Sequence, residues 1–518
     1  MFAAFFSGII YFFKSEIFRN LEVVGEIKGP DVKNAHAFFL RKNHPPSKTA
    51  EKTEVETAII GAGISGLSAG WYLNKNGYDD FLLFELESKP GGNCVWGSEG
   101  ILSYPWAAHY LPLPTEQSVY VKELLREMKI LTDEGYTKEY MRADPEVRNF
   151  VFGQWQNGLY PLLFAKDDDL RQFEDFKRRM VQYSTAKGRD QKKAFSIPLR
   201  LSSHDSLFTE LDRISMKDFL YQNKFTSKRL HWFIEYGLKD DYGSSLSNTS
   251  AWAGIHYFAA RNSLDEDCLT WPNGMGFVSE YLANKIKHKI KNSHLVYHIE
   301  KEKDRYRIKA FNTKSQKETD VLARNVIYAS GKFTLKKTYA GLYQKNQKAF
   351  DSFVYSPWMT ANIHLDSPVP SAGDEIYWDN VIYDADSLGY INNSHQFSHG
   401  TRKQVWTYYK PYVKDDTMQI RKTLLEKNHR AAASEVLDVL TVPHPDIRTH
   451  VEKIDFYYWA HAMVRPVPGF IFSPHLNSLS ETKADERFYL AHSDMSGISI
   501  FEEAQYQGIE AAKQVLKT

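Results

Sequence analysis

Gly61, Gly63 and Gly66 follow one another in the order G-x-G-x-x-G, and an acid, Glu85, stands 19 positions beyond the last of them. Glycines at this spacing let the backbone turn tightly and come close to a diphosphate. The start of a following helix adds free N–H groups and partial positive charge. An acid at that distance is placed to accept hydrogen bonds from an adenosine ribose. The chemistry indicated is dinucleotide binding, and a glycine-rich turn without a ligand is the alternative.

The flanking elements favour the dinucleotide. Thr57-Ala58-Ile59-Ile60 is a short apolar run that reads as a buried parallel strand. Leu67 to Asn76 reads as a helix. In that frame Gly61 makes the turn, Gly63 admits the pyrophosphate, and Gly66 lets the helix lie close on the strand. Phe81-Leu82-Leu83-Phe84 reads as a second strand, ending at Glu85.

Three further blocks carry a resemblance. Gly91-Gly92 follows the ribose acid and leads into "GSEGILSYPWAAHYLP" (Gly97 to Pro112). "WPNGMGFVSEYLANKI" (Trp271 to Ile286) precedes the strand-like "LVYHIE", "RYRIKAF" and "NVIYASG". "RFYLAHSDMSGISIFEEAQYQGIEAAKQVL" (Arg487 to Leu516) closes the chain. Together these resemble the flavoprotein superfamily of amine oxidases, phytoene desaturases and protoporphyrinogen oxidases. From Glu56 onward most of the chain is similar to a bacterial branch of FAD-dependent oxidoreductases within it.

The resemblance implies FAD, with NAD the alternative. No Cys or His stands in a familiar flavin-attachment motif, so the FAD is expected to be noncovalent. It implies cofactor contacts from Gly61, Gly63, Ile64, Ser65, Gly66, Glu85, Leu86, Gly91, Gly92 and Asn93. It puts Ala108 and His109 at the flavin ring, Val296 at the adenine through its backbone, and Ala329 at a strand end beside the cofactor. Asp494 would hold the ribityl–phosphate region, with Ser499 and Ile500 opening a helix aimed at the flavin.

The fold implied is α/β and α+β: a Rossmann-like FAD-binding domain of the glutathione-reductase type, with an inserted substrate domain of mixed sheet and helices. The expected divisions are an apolar segment and linker over 1–55, FAD-binding parts over 56–109, 270–333 and 467–518, and substrate-domain parts over 110–269 and 334–466. "WMTANIHLD" (Trp358 to Asp366) and "KQVWTYYKPY" (Lys403 to Tyr412) alternate as strands do and would form a sheet over the flavin.

This superfamily oxidises C–N or C–C bonds by hydride transfer to the flavin. With no second G-x-G-x-x-G after a strand, an oxidase, dehydrogenase or desaturase is favoured over an NAD(P)H-driven reductase. Two positions depart from the amine oxidases. Asn93 stands where they often carry Arg, and no lysine stands near Trp358 or Met359, where they carry one facing the flavin. The candidate pocket residues are His109, His461, Arg465, Tyr390 and His395. His461 and Arg465 would share one face if "WAHAMVRP" were helical, to bind an anionic substrate or the flavin, or to form an internal ion pair. "KDDYG" (Lys239 to Gly243) puts two acids together and reads as a solvated turn, with a paired acid/base site as the alternative. The expected activity is oxidation of a small or lipophilic organic substrate. The alternatives are a flavin-binding scaffold or maturation protein with little turnover, and a prenyl-lipid desaturase or isomerase.

Composition bounds the partners. The 65 Lys and Arg against 64 Asp and Glu leave no excess charge for nucleic-acid binding. Cys94 and Cys268, the only cysteines, make neither a disulfide framework nor a zinc cluster. Residues 1–13, "MFAAFFSGIIYFF", are too short to span a bilayer, which takes about 20 residues. They read as a peripheral membrane anchor or a truncated export signal, with packing on the protein body as the alternative. Membrane association or export is thus favoured over a cytoplasmic location, and oligomeric state is left open.

Overall fold

The run Thr57–Ile60 is the end of a longer strand, Glu51–Ile60, which pairs in parallel with Phe81–Phe84 (Thr57 opposite Phe81, Ile60 opposite Phe84). The computed structural model describes residues 23–39, 51–141, 147–261, 268–396, 402–481 and 486–518. The apolar segment 1–13 lies outside the described residues. Among the described residues no helix is long and apolar enough to cross a membrane.

Seven strands form the first sheet, in the order Ile290–Lys291, Phe81–Phe84, Glu51–Ile60, Glu318–Tyr328, Arg305–Asn312 and His294–Glu302, with Phe488–Leu490 beside Glu318–Tyr328. The strands that meet at the glycine motif are parallel, and the Arg305–Asn312 and His294–Glu302 hairpin is antiparallel. Helix Ile64–Lys75 begins directly after Gly63, earlier than the expected Leu67, so its first N–H groups open at the strand ends. The terminal helix Phe501–Val515 packs against it so closely that a Cβ on Gly508 would lie 2.0 Å from the Ser65 carbonyl oxygen.

The second sheet has eight strands: Ile27–Lys28, Val451–Val464, Tyr355–Leu365, Gln404–Pro411, Gly389–Asn392, Asp379–Ile382, Val147–Val151 and Gln154–Asn157. The two alternating segments are neighbours in it, with Trp358 opposite Pro411 and Leu365 opposite Gln404. Tyr355–Leu365 is buried along its whole length. One expectation is overturned here. "WAHAMVRP" is not helical: His461 belongs to the strand Val451–Val464, and Arg465 follows its end.

The helices Asp167–Thr185, Met216–Gln222, Lys228–Tyr242 and Ala251–Ala259 pack around Phe176, Phe195, Phe219, Ile234 and Trp252. Ser215, Ser227 and Ser250 cap three of these helices by accepting backbone N–H bonds. "KDDYG" is likewise no solvated turn: it is the last turn of Lys228–Tyr242, closed by Gly243 in the left-handed region at φ 56°.

His256 sits inside this cluster, its Nε2 3.0 Å from the Ser196 carbonyl and its ring stacked on Trp252. Burial pushes its imidazole down to about 4. A histidine held neutral stabilises the fold above its ordinary value of 6.5, and that contribution is lost as pH falls toward 4. Burial pushes the Glu503 carboxyl up to about 7, which acts in the opposite direction. The measurement is therefore a difference. The stability gap between the wild-type protein and His256→Gln, from denaturant melts, should shrink by about 3 kcal/mol between pH 7 and pH 4. A gap that does not change with pH would contradict a neutral, buried His256.

Candidate cofactor and substrate site

A cavity of about 950 Å³ runs along the carboxyl ends of the first sheet and on to the face of the second. At one end it is a backbone cradle. Gly63 pairs with Gly91 in an isolated bridge, and a Cβ on Gly92 would lie 3.0 Å from the Gly63 Cα. Gly61, Gly63, Ile64, Ser65, Gly91 and Gly92 all line it. Among the described residues no side chain caps the helix that starts at Ile64, and the buried Ser65 Oγ has no hydrogen-bond partner. A cradle that side chains would fill, an uncapped helix start and an unpartnered hydroxyl fit the diphosphate of a dinucleotide. Gly66 does not line the cavity; its place is packing, since a Cβ there would lie 1.9 Å from the Gly61 carbonyl oxygen.

Glu85 lies beside the cradle with its carboxylate already held. Oε2 accepts from the Ala62 N–H at 2.7 Å and Oε1 from the Glu87 N–H at 2.9 Å. Burial nevertheless pushes its carboxyl up to about 7. Leu86, Val296 and Ala329 line the same part of the cavity.

The other end is aromatic. The segment through Ala108 and His109 crosses from one sheet to the other and is pinned by the second. Thr360 donates to the Trp106 carbonyl, Tyr409 to the Ala107 carbonyl, and Asn362 to the Pro105 carbonyl. The His109 ring lies 5.0 Å from that of Tyr409 and 5.3 Å from that of Trp378. Trp358, Tyr409, Tyr457 and Trp459 complete the wall. Tyr457 and Trp459 alternate along one strand and so share a face, and a bulge between Trp459 and Met463 breaks the alternation at His461.

Comparison with known proteins bears on this geometry. A family model for an NAD(P)-binding Rossmann-like domain matches residues 59–128. A search of curated proteins finds no match. Among solved structures, a putrescine oxidase bound to putrescine aligns with a TM-score of 0.66 at 14% identity, over 90% of this chain and 100% of its own. A cyclohexylamine oxidase from Brevibacterium oxydans IH-35A gives 0.63 at 14% identity, over 89% and 99%. A CLA-producing fatty acid isomerase from P. acnes gives 0.63 at 16% identity, over 89% and 98%. The chain has the flavin amine oxidase fold.

On this fold the expected residues separate. Asn93, Ala108, His109, Ser499, Ile500 and His461 line the cavity. Asn93 donates to the Ala462 carbonyl at 2.8 Å, and Ser499 Oγ accepts from the Val464 N–H. His461 stacks on Phe333 at 4.0 Å, and burial pushes its imidazole down to about 3, which disfavours the charged form. Asp494 stands behind the wall. Its carboxylate accepts from the Tyr355 hydroxyl at 2.6 Å and the Lys332 N–H at 3.0 Å, while His492 and Ser493 line the cavity. Burial alone would raise the Asp494 carboxyl, but His492 and Lys332 hold it well below the usual range.

Two expected pocket residues are elsewhere. Tyr390 is buried in the second sheet, stacked on Trp406 at 4.2 Å and bonded to His444 Nε2 at 2.8 Å. Arg465 is buried with its guanidinium on the Tyr412 and Lys414 carbonyls, so it ties a loop to the strand end. Neither lines the cavity. His395 falls in the short turn Asn393–Gln396, and its side chain lies outside the described residues. The sequence reading set Asp240 and Asp241 aside as a turn and missed Arg261, Glu502 and Arg421; all five are in the wall. Tyr110 donates to Asp240 at 3.0 Å, and Arg261 pairs with the buried Glu502 at 2.7 Å.

Arg465→Met should therefore lower stability by about 3 kcal/mol through the loss of charged hydrogen bonds. Nucleotide affinity should stay at the wild-type value. Thermal melts and ligand titration on the same samples measure both, and weaker nucleotide binding at unchanged stability would return Arg465 to the site.

Proposed function

We propose that the chain is an FAD-dependent oxidoreductase that takes a hydride from a small or lipophilic organic substrate. One observation carries this reading: a single cavity joins a cradle suited to a diphosphate with an aromatic chamber on the second sheet. The flavin amine oxidase fold supports a flavin over a nicotinamide. Bound there, FAD supplies the acceptor for the two electrons and the hydrogen that leave a substrate carbon.

The chain's own residues do the rest. Gly63 to Ser65 and Gly92 would hold the diphosphate with backbone N–H groups, while the Gly61, Ala62 and Gly91 N–H groups, donated to Phe84, Glu85 and Ala62, fix the turn. Glu85, fixed by two N–H donors, would present its remaining lone pairs to the ribose hydroxyls. Trp358, Tyr409, Tyr457 and Trp459 would exclude water and orient the substrate by their faces. The resemblance puts the amine oxidases' flavin-facing lysine near Trp358 or Met359, and here Trp358 lines the wall, which speaks against amine oxidation in its usual form. Asp240 offers a carboxylate to a polar or cationic group of the substrate.

The absence of a flavin-attachment Cys or His motif supports noncovalent attachment, and so does Cys94, which lines the cavity but whose thiol burial pushes up to about 12, disfavouring the nucleophilic thiolate. The purified protein should be yellow, and acid precipitation should leave the flavin in the supernatant. Flavin in the pellet would contradict this. Glu85→Gln should weaken FAD binding about 10- to 100-fold with the fold intact. The amide is the milder change, because its oxygen keeps one of the Ala62 and Glu87 N–H bonds whereas Glu85→Ala strands both.

Anaerobic addition of amines and of unsaturated or prenyl lipids, followed by timed reoxidation in oxygen, tests the activity. Bleaching of the flavin by one class assigns the substrate. A yellow protein that no member of either class bleaches would favour the flavin-binding scaffold.

A further inference from the structure

Residues 23–39 precede the nucleotide-binding strand and have no part in the glycine pattern, yet they wall its cavity. They are fastened at both ends. On the second sheet, Ile27 and Lys28 lie parallel to Phe456 and Tyr457. The Ile454 and Phe456 N–H groups donate to the Val24 and Glu26 carbonyls at 3.0 and 2.8 Å, and the Glu26 N–H donates to Asp455 Oδ1 at 3.0 Å. Gly25 lies so close that a Cβ would come within 1.9 Å of the Ile454 carbonyl oxygen.

On the first sheet, the helix Val32–Phe39 buries Phe38, whose ring is 4.5 Å from Tyr297 and 4.9 Å from Phe311. The Asp31 N–H donates to Glu87 Oε1 at 2.7 Å. Glu87 is the residue whose own N–H holds Glu85. The arm is thus latched, through one intervening residue, to the acid at the ribose position. Between the two anchors Pro30, Asp31, Ala35, His36 and Phe39 line the cavity, next to Leu86 and Val296.

We propose that this arm is a clasp that forms the outer wall of the adenosine subsite, so that the dinucleotide leaves only after the arm lifts away. The inference rests on the reading of this cavity as the FAD site. Its physical basis is that a ligand covered by a chain segment dissociates no faster than the segment opens. Opening here breaks one short strand pairing, one latch and the burial of one phenylalanine. Such segments open locally at far lower cost than the whole fold.

Phe38→Ala and Gly25→Val test the clasp, because each loosens one anchor and neither residue lines the cavity. Release of FAD from the loaded protein would be followed by the rise in flavin fluorescence on dilution, and limited proteolysis would report whether the arm has lifted. Release should quicken about tenfold or more while the melting profile stays cooperative. A full-length chain carrying both Phe38→Ala and Gly25→Val loosens both anchors and should release FAD at least as fast as either variant. An unchanged release rate in that chain, or in a variant whose arm proteases now cut, would overturn the clasp while leaving the FAD reading intact. A full-length protein that takes up no FAD would overturn both.

Discussion

Helix Ile64–Lys75 starts without a capping side chain, and the site is built around keeping that start open. An uncapped helix start leaves donors unsatisfied and carries partial positive charge, which favours an anion there. Keeping the start both open and buried takes close packing from every side. Gly66 brings the helix onto the strand, Gly508 brings the terminal helix onto Ser65, and Gly92 closes on Gly63. Each is a position where a single methyl group would push backbone from backbone. The Glu85 carboxylate extends the arrangement by binding the Ala62 N–H, which fixes the turn on which the cradle depends.

The aromatic end obeys a different constraint. Burial drives the ionisable groups around it toward their neutral forms: the His461 imidazole down to about 3, the Lys332 ammonium down to about 7, the Cys94 thiol up to about 12. Lys332 is held by the carbonyls of Tyr328, Ser330 and Ala491, so it joins two parallel strand ends and does not face the cavity. Charge survives where a partner is supplied, as in the Arg261–Glu502 pair at the start of the terminal helix. A low-dielectric chamber with few, paired charges suits chemistry in which hydrogen leaves carbon and water must be kept out.

What the sequence disclosed follows from this division. The cradle depends on local spacing, so Gly61, Gly63, Gly91, Gly92 and Glu85 could be read without knowing any long-range contact. The chamber depends on strand pairing, and there local reading failed. "WAHAMVRP" contains good helix formers, and the strand's period of two shows only through "FYYW", where Tyr457 and Trp459 fall on one face, because a bulge between Trp459 and Met463 interrupts it in "AHA". Tyr390 and Arg465 carry suitable chemical groups, but they are used to satisfy buried hydrogen bonds, which composition cannot distinguish from a site. Asp240 and Asp241 were hidden by the opposite error. Two adjacent acids before a glycine look like a turn, yet they end a helix whose capping glycine lets it reach the cavity wall.

Cradle and chamber also differ in how freely they can change. A cradle residue is constrained by backbone on both sides, and almost any substitution there costs the nucleotide site. The chamber residues are side chains projecting from strands whose backbones are already paired: Tyr355–Leu365 lies between Val451–Val464 and Gln404–Pro411. Exchanging Trp358, Tyr409 or Trp459 would alter the shape and polarity of the wall without breaking a ladder. This is how one scaffold can serve a putrescine oxidase, a cyclohexylamine oxidase and a fatty acid isomerase at 14% to 16% identity to this chain. Under the proposed function, Trp358 on the second sheet and Asp240 on the adjoining helix Lys228–Tyr242 would be placed to separate an apolar substrate from a cationic one.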